Sequence, residues 1–209
     1  SAASDVYKRQ VLTELDNIRS MIGNLSLEDQ VNLIKKKEIK IIELVDFYLD
    51  RVKKLNGTLN AIINLKDFDE IRDIAKLKDE SLDSDLPLNG IPFAIKDIFN
   101  VVGFPTTEGL NINRDSLPAS NSIFVNRLQE KGGIIIGKTN TSELAIGSHT
   151  VNKIFGPTAN PYNYSLSAGG SSGGAAAAVS MNLVPCADGS DMMGSCRNPA
   201  AFTNLYGYR

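Results

Sequence analysis

Residues 132–139 read Gly132-Gly133-Ile134-Ile135-Ile136-Gly137-Lys138-Thr139, and the reading of this stretch decides the fold. Letter for letter it satisfies G-x-x-x-x-G-K-[ST], the phosphate-binding loop. Such a loop must follow a strand and keep its interior amides free to wrap around phosphates. Here a charged helix at residues 120–131 precedes the first glycine, and the interior is a run of three isoleucines. A β-branched run of that kind favours an extended chain. Nucleotide binding is therefore set aside, and residues 133–137 are read as a short strand.

Working outward, residues 91–98 (IPFAIKDI) read as a buried strand carrying one inward lysine, Lys96. Residues 58–65 (TLNAIINL) and 184–188 (VPCAD) are further strand candidates. Helical spacing of apolar residues marks 12–24 and 27–36, the latter opened by a Ser26–Asp29 capping signature. The same spacing marks 39–55, where Ile42, Val45, Leu49 and Val52 share a face and Asn56-Gly57 serves as the stop. A charge-laced helix is expected over 67–84 and an alanine-rich one over 173–182, with helical starts at 142–147 and 198–204. Residues 86–89 and 156–172 read as loops. Strands alternating with helices predict an α/β layer architecture.

Composition narrows the function. Lys+Arg 22 against Asp+Glu 24 gives a net charge of -2 over 209 residues, with no basic surplus for a nucleic-acid backbone. Two cysteines, Cys186 and Cys196, are too few for a disulfide scaffold or a cysteine zinc site. The single His149 excludes a histidine-rich metal site; no metal and no cofactor are expected. No window approaches the length of a membrane span, and a cytoplasmic location is the default expectation. Residues 132–209 hold 12 of the 17 glycines but only 7 of the 46 charged residues. A charged helical front and a glycine-rich back suggest a scaffold followed by a buried site.

Residues 1–10 (SAASDVYKRQ) look like the translation of a sequencing adaptor and are set apart from the fold. Residues 11–85 form an expected helical region, and 86–209 an expected core. The last stretch, AAFTNLYGYR, has no tail character, so the core is expected to be cut at Arg209.

Some motifs tempt without support. Gly170-Ser171-Ser172-Gly173-Gly174 contains G-x-S-x-G, but that nucleophile elbow needs a histidine downstream, and His149 lies upstream, so the reading stays a minor alternative that needs a histidine beyond Arg209. His149 is better read as a rim residue than as a general base. Cys196 has no neighbouring histidine to activate it, and both cysteines read as packing residues.

Three features hold together. Lys96 is a lone cation in an apolar strand. Ser171-Ser172 sits in a four-glycine frame, and Ser195 follows the Gly189–Gly194 turn. A buried lysine is disposed to be neutral and can act as a base. Serine–lysine pairs replace serine–histidine pairs where histidine is absent. Glycines let backbone amides approach one oxygen, as an oxyanion hole requires.

Residues 90–96 (GIPFAIK), 137–143 (GKTNTSE) and 169–199 resemble the amidase signature enzymes, within a likeness running from about residue 27 to Arg209. The resemblance implies an α/β fold with a mixed sheet covered by helices, present only in part. It implies a Ser–cis-Ser–Lys triad with Ser195 as nucleophile, Ser171 as the bridging cis-serine and Lys96 as base. Lys96 and Ser171 are 75 residues apart, and Ser171 and Ser195 are 24 apart, spacings that fit the family. Met192, Met193 and Gly194 are expected around the oxyanion, with Gly170, Ser172, Asp191 and Arg197 lining the substrate site. Met193 stands where the family usually has a glycine and is expected to narrow the acyl pocket.

The expected activity is hydrolysis of a carboxylic amide through an acyl-enzyme. The expected partner is a small-molecule amide, with a homodimer left open, no membrane, and no nucleic acid unless the chain is an amidotransferase subunit. Two alternatives remain: the A subunit of a tRNA-dependent glutamine amidotransferase, and a catalytically inert fragment.

Overall fold

A computed structural model describes residues 21–81 and 85–209. Helix α1 (Leu27–Lys35) begins where the sequence places it. Ser26 Oγ accepts from the Asp29 N–H, and Asp29 accepts in return from the Ser26 N–H, a capping box. Helix α2 (Ile41–Leu59) buries Ile41, Leu44, Val45, Tyr48, Leu49 and Val52 along one stripe. Each large aliphatic residue there contributes about 1.5–3 kcal/mol of burial. Ile42 lies beside the stripe and is only half-buried.

The stop expected at Asn56-Gly57 is absent: α2 runs through both residues and ends at Asn60, whose φ of 52° is left-handed. Asn56 has another task. Its side chain accepts from the N–H groups of Ala61 and Ile62 and donates to the Ile62 carbonyl, turning the chain out of the helix. The strand expected over 58–65 accordingly shrinks to β1 (Ile62–Ile63). Helix α3 (Phe68–Glu80) starts on an Asp67 cap that accepts from the Asp69 and Glu70 N–H groups. The end of that expected helix, and most of the one expected at 12–24, lie outside the described residues.

Strand β2 (Pro92–Lys96) and strand β3 (Ile134–Thr139) are buried along their whole length. They flank helix α4 (Ile123–Glu130), which Gly132 closes at a φ of +100°. The order in the sheet is β1-β3-β2, with β2 parallel and β1 antiparallel to β3. Residues 132–139 thus supply the central strand of a mixed sheet, and the phosphate-loop reading is excluded by burial of all six residues of β3. Two short hairpins follow, β4 (Val151–Asn152) with β5 (Gly156–Pro157), and β6 (Ala159–Asn160) with β7 (Asn163–Ser167). Residues 156–172 therefore contain strands where the sequence suggests a loop, because their turn-forming residues bend a paired chain.

Helix α5 (Gly173–Ser180) is apolar all round and packs against the three sheet strands. Gly174 permits that approach: a Cβ there would lie 2.7 Å from the Ala61 carbonyl oxygen and closer still to Asn140 main chain. No strand forms at 184–188. Leu183 and Val184 are buried, yet the segment meets β2 through a side chain, with Asp188 Oδ1 accepting from the Lys96 N–H at 2.9 Å. Helix α6 (Arg197–Phe202) closes the described chain.

Candidate active site

Three segments converge at the end of β2. Lys96 is its last residue and is fully buried. Its Nζ donates to Ser171 Oγ, Ser172 Oγ and Ser190 Oγ, each at 2.8 Å. Ser171 and Ser172 lie at the N-terminus of α5, and Ser190 lies in the turn preceding α6. The Gly170–Ser171 peptide bond is cis. Burial pushes the Lys96 amine down to about 8, opposed by the charges of Asp188, Cys196 and Asp191.

Thr150 braces the glycine frame. Its Oγ1 accepts from the Gly173 N–H at 2.8 Å and donates to the Ser171 carbonyl at 3.2 Å. Gly170 is buried against the His149 main chain, which leaves no room for a side chain. His149 itself is exposed and bonds Ser167 Oγ through Nδ1; no contact joins it to Lys96.

The turn bearing Ser195 is organised by Asp191. Its carboxylate accepts from the N–H groups of Gly194, Cys196 and Arg197 and is clamped by Arg197 Nε and Nη2 at 2.9 and 3.0 Å. The Arg197 guanidinium, first, and the three N–H groups hold Asp191 well below the usual carboxylate range. Gly194 carries the one left-handed conformation of the turn, φ +111°. Met193 is therefore unstrained. Met193 is 83% exposed and Met192 79%.

Ser195 joins the cluster through its carbonyl, which accepts from the Ser172 N–H at 3.0 Å. Among the described residues its hydroxyl makes no hydrogen bond, and neither do the N–H groups of Met192, Met193 and Ser195. A cavity of about 300 Å³ has Ser172, Asp188 and Cys196 at one side and Ala176, Val179 and Leu205 among its apolar walls. Cys186 and Cys196 are free thiols, and burial pushes Cys186 up to about 12. Such a thiol is not a nucleophile at neutral pH. No group of three potential metal ligands occurs among the described residues.

Two groups escaped the sequence reading. Ser190 is the third oxygen on Lys96. Behind it, Lys138 and Asp97 form a fully buried ion pair at 3.0 Å. Lys138 also donates to the Phe99 and Pro105 carbonyls and to Thr106 Oγ1, while Asp97 accepts from the Thr107 N–H and hydroxyl. This network fixes the chain that leaves Lys96. Among the described residues, no helix is long and apolar enough to cross a membrane.

The arrangement has known relatives. The Amidase family matches residues 43–209. An acylamidase of Rhodococcus erythropolis is 38% identical over 187 residues, which are 88% of this chain and 39% of the relative. The A subunit of the glutamyl-tRNA(Gln) amidotransferase of Halothermothrix orenii is 39% identical over 186 residues, 89% of this chain and 38% of the relative. Among solved structures, a fatty acid amide hydrolase superposes with a TM-score of 0.84 at 27% identity, covering 88% of this chain and 33% of that one. A bacterial aryl acylamidase superposes at 0.80 with 35% identity, covering 88% and 39%. This chain thus spans under two-fifths of the length of these relatives. The match over residues 43–209, together with these relatives, shows that this chain belongs to the amidase signature family.

Proposed function

We propose that the protein containing this chain hydrolyses a carboxylic amide through an acyl-enzyme on Ser195, with Ser171 and Lys96 as the proton relay. The observation that carries the reading is the 2.8 Å contact between Lys96 Nζ and Ser171 Oγ, enclosed away from solvent. A neutral amine has two N–H donors and one lone pair. With three serine oxygens around it, one hydroxyl must donate to the nitrogen instead. Ser171 is that hydroxyl in this reading.

Ser195 Oγ attacks the amide carbonyl as its proton passes to Ser171, whose own proton passes to Lys96. The tetrahedral oxyanion is stabilised by the unpaired N–H groups of the Met192–Ser195 turn. Within that turn the Gly194 N–H is taken by Asp191, at 2.6 Å, so Met192, Met193 and Ser195 are the available donors. Protonated Lys96 returns its proton through Ser171 to the departing amine, and water then attacks the ester by the same relay. No step requires a cofactor. The apolar cavity beside Ser172 supports an acyl or amine group of low polarity. Replacing Ser195 by Ala in the intact protein should abolish amide turnover, and undiminished turnover would refute the assignment.

A second reading rests on the amidotransferase relatives: the same residues release ammonia from glutamine for a partner protein. Glutamine hydrolysis that appears only with the added partner proteins and charged tRNA selects it; turnover of simple amides by the protein alone selects the first.

A further inference from the structure

The charges around the cluster pair off, with one remainder. Lys138 is matched by Asp97 at 3.0 Å, and Arg197 by Asp191 through two nitrogens. What remains is Lys96 and Asp188. Asp188 Oδ1 accepts from the Lys96 main-chain N–H at 2.9 Å. Its Oδ2 is shielded from solvent and has no hydrogen-bond partner among the described residues. A buried carboxylate oxygen without a partner is costly, so its retention needs a reason. The Lys96 ammonium is not among the closed ion pairs, which leaves it free to bond the three serines while still feeling the carboxylate.

We propose that Asp188 is a positioning residue for Lys96, anchoring its main chain through one carboxylate oxygen and supplying the negative field in which the amine gains and loses its proton. The proposal rests on the reading of Lys96 as the base. Without this charge, burial alone would strip the amine of its proton too readily, and it would be a weaker base when Ser171 delivers one. The carboxylate acts on the amine without capturing it, because it is tied to the backbone rather than to Nζ. The groups facing Asp188 are Lys96 on β2, Lys138 on β3, Cys186 on its own segment and Cys196 before α6. Those facing Lys96 are Asp188, Cys196 and Asp191. Burial pushes Asp188 up to about 6, so it is charged where Lys96 titrates.

The test uses the intact protein and the pH dependence of kcat/KM for an amide substrate. Asp188→Asn keeps an oxygen for the Lys96 N–H but removes the charge. The midpoint of the alkaline rise should move to lower pH by about one unit. A scaffold role would lower stability or kcat and leave the midpoint in place, and an unmoved midpoint overturns the proposal. Should the variant not fold, the unsubstituted protein carrying lysine labelled with 13C at Cε decides. Lys96 should titrate near 8 with a smaller inflection near 6 from its neighbour; absence of the lower inflection overturns the proposal. Full amide turnover by Lys96→Ala would instead refute Lys96 as the base, while the labelled-lysine titration would still report its coupling to Asp188.

Discussion

Lys96 Nζ and Ser171 Oγ, 75 residues apart in sequence, lie 2.8 Å apart in the interior, and both side chains are fully buried. Replacing Lys96 by Met keeps the stem and removes the base. The kcat for amide hydrolysis at neutral pH should fall by about 10²–10⁴, with the fold retained by circular dichroism.

The same burial links activity to pH. Lys96 is lowered to about 8 from 10.5, so kcat/KM should rise with pH through about 8 as the neutral amine forms. Stability follows the same sign. Between about 8 and 10.5 the unfolded chain holds a proton on this lysine that the folded chain has released, so its contribution to stability increases as pH rises. Below about 8 both states are protonated, and the lysine costs the fold about 3 kcal/mol. Denaturation of the wild type and of Lys96→Met across this range checks it: the difference between them should shrink as pH rises.

Lys138→Met should be severely destabilising, by about 3–5 kcal/mol, because it leaves Asp97 charged and buried. The double variant Lys138→Met/Asp97→Leu should lie closer to wild type than the sum of the single changes. A double-mutant cycle from denaturant melts measures this coupling.

Thr150→Val should cost about 1–3 kcal/mol, since the Gly173 N–H and the Ser171 carbonyl both lose their partner. Thr150→Ser keeps the hydroxyl and should restore most of the stability and of kcat, as thermal melts and turnover together will show.

Much of this was legible in the sequence. A lone lysine in an apolar strand, glycines framing two serines, and three isoleucines where a phosphate loop would need freedom each carry one dominant physical meaning. The β2 and β3 strands and the burial of Lys96 follow from them. What escaped was decided by side chains acting at a distance. Asn56 looks like a helix stop but bonds the chain after Asn60. Residues 184–188 look like a strand but contact β2 through the Asp188 carboxylate. Lys138 and Asp97 lie 41 positions apart in separate stretches with no motif linking them, and the parallel pairing of β2 with β3 brings them together. Ser190 was hidden for the same reason, since its partner lies 94 residues away.

If Ser195 is the nucleophile, covalent trapping will mark it. The intact protein treated with an alkyl fluorophosphonate should carry one phosphonyl group on the peptide containing Ser195, with turnover lost in step and no label in Ser195→Ala. Label on another residue, or an unlabelled Ser195 in a fully inhibited protein, would rule Ser195 out as the nucleophile.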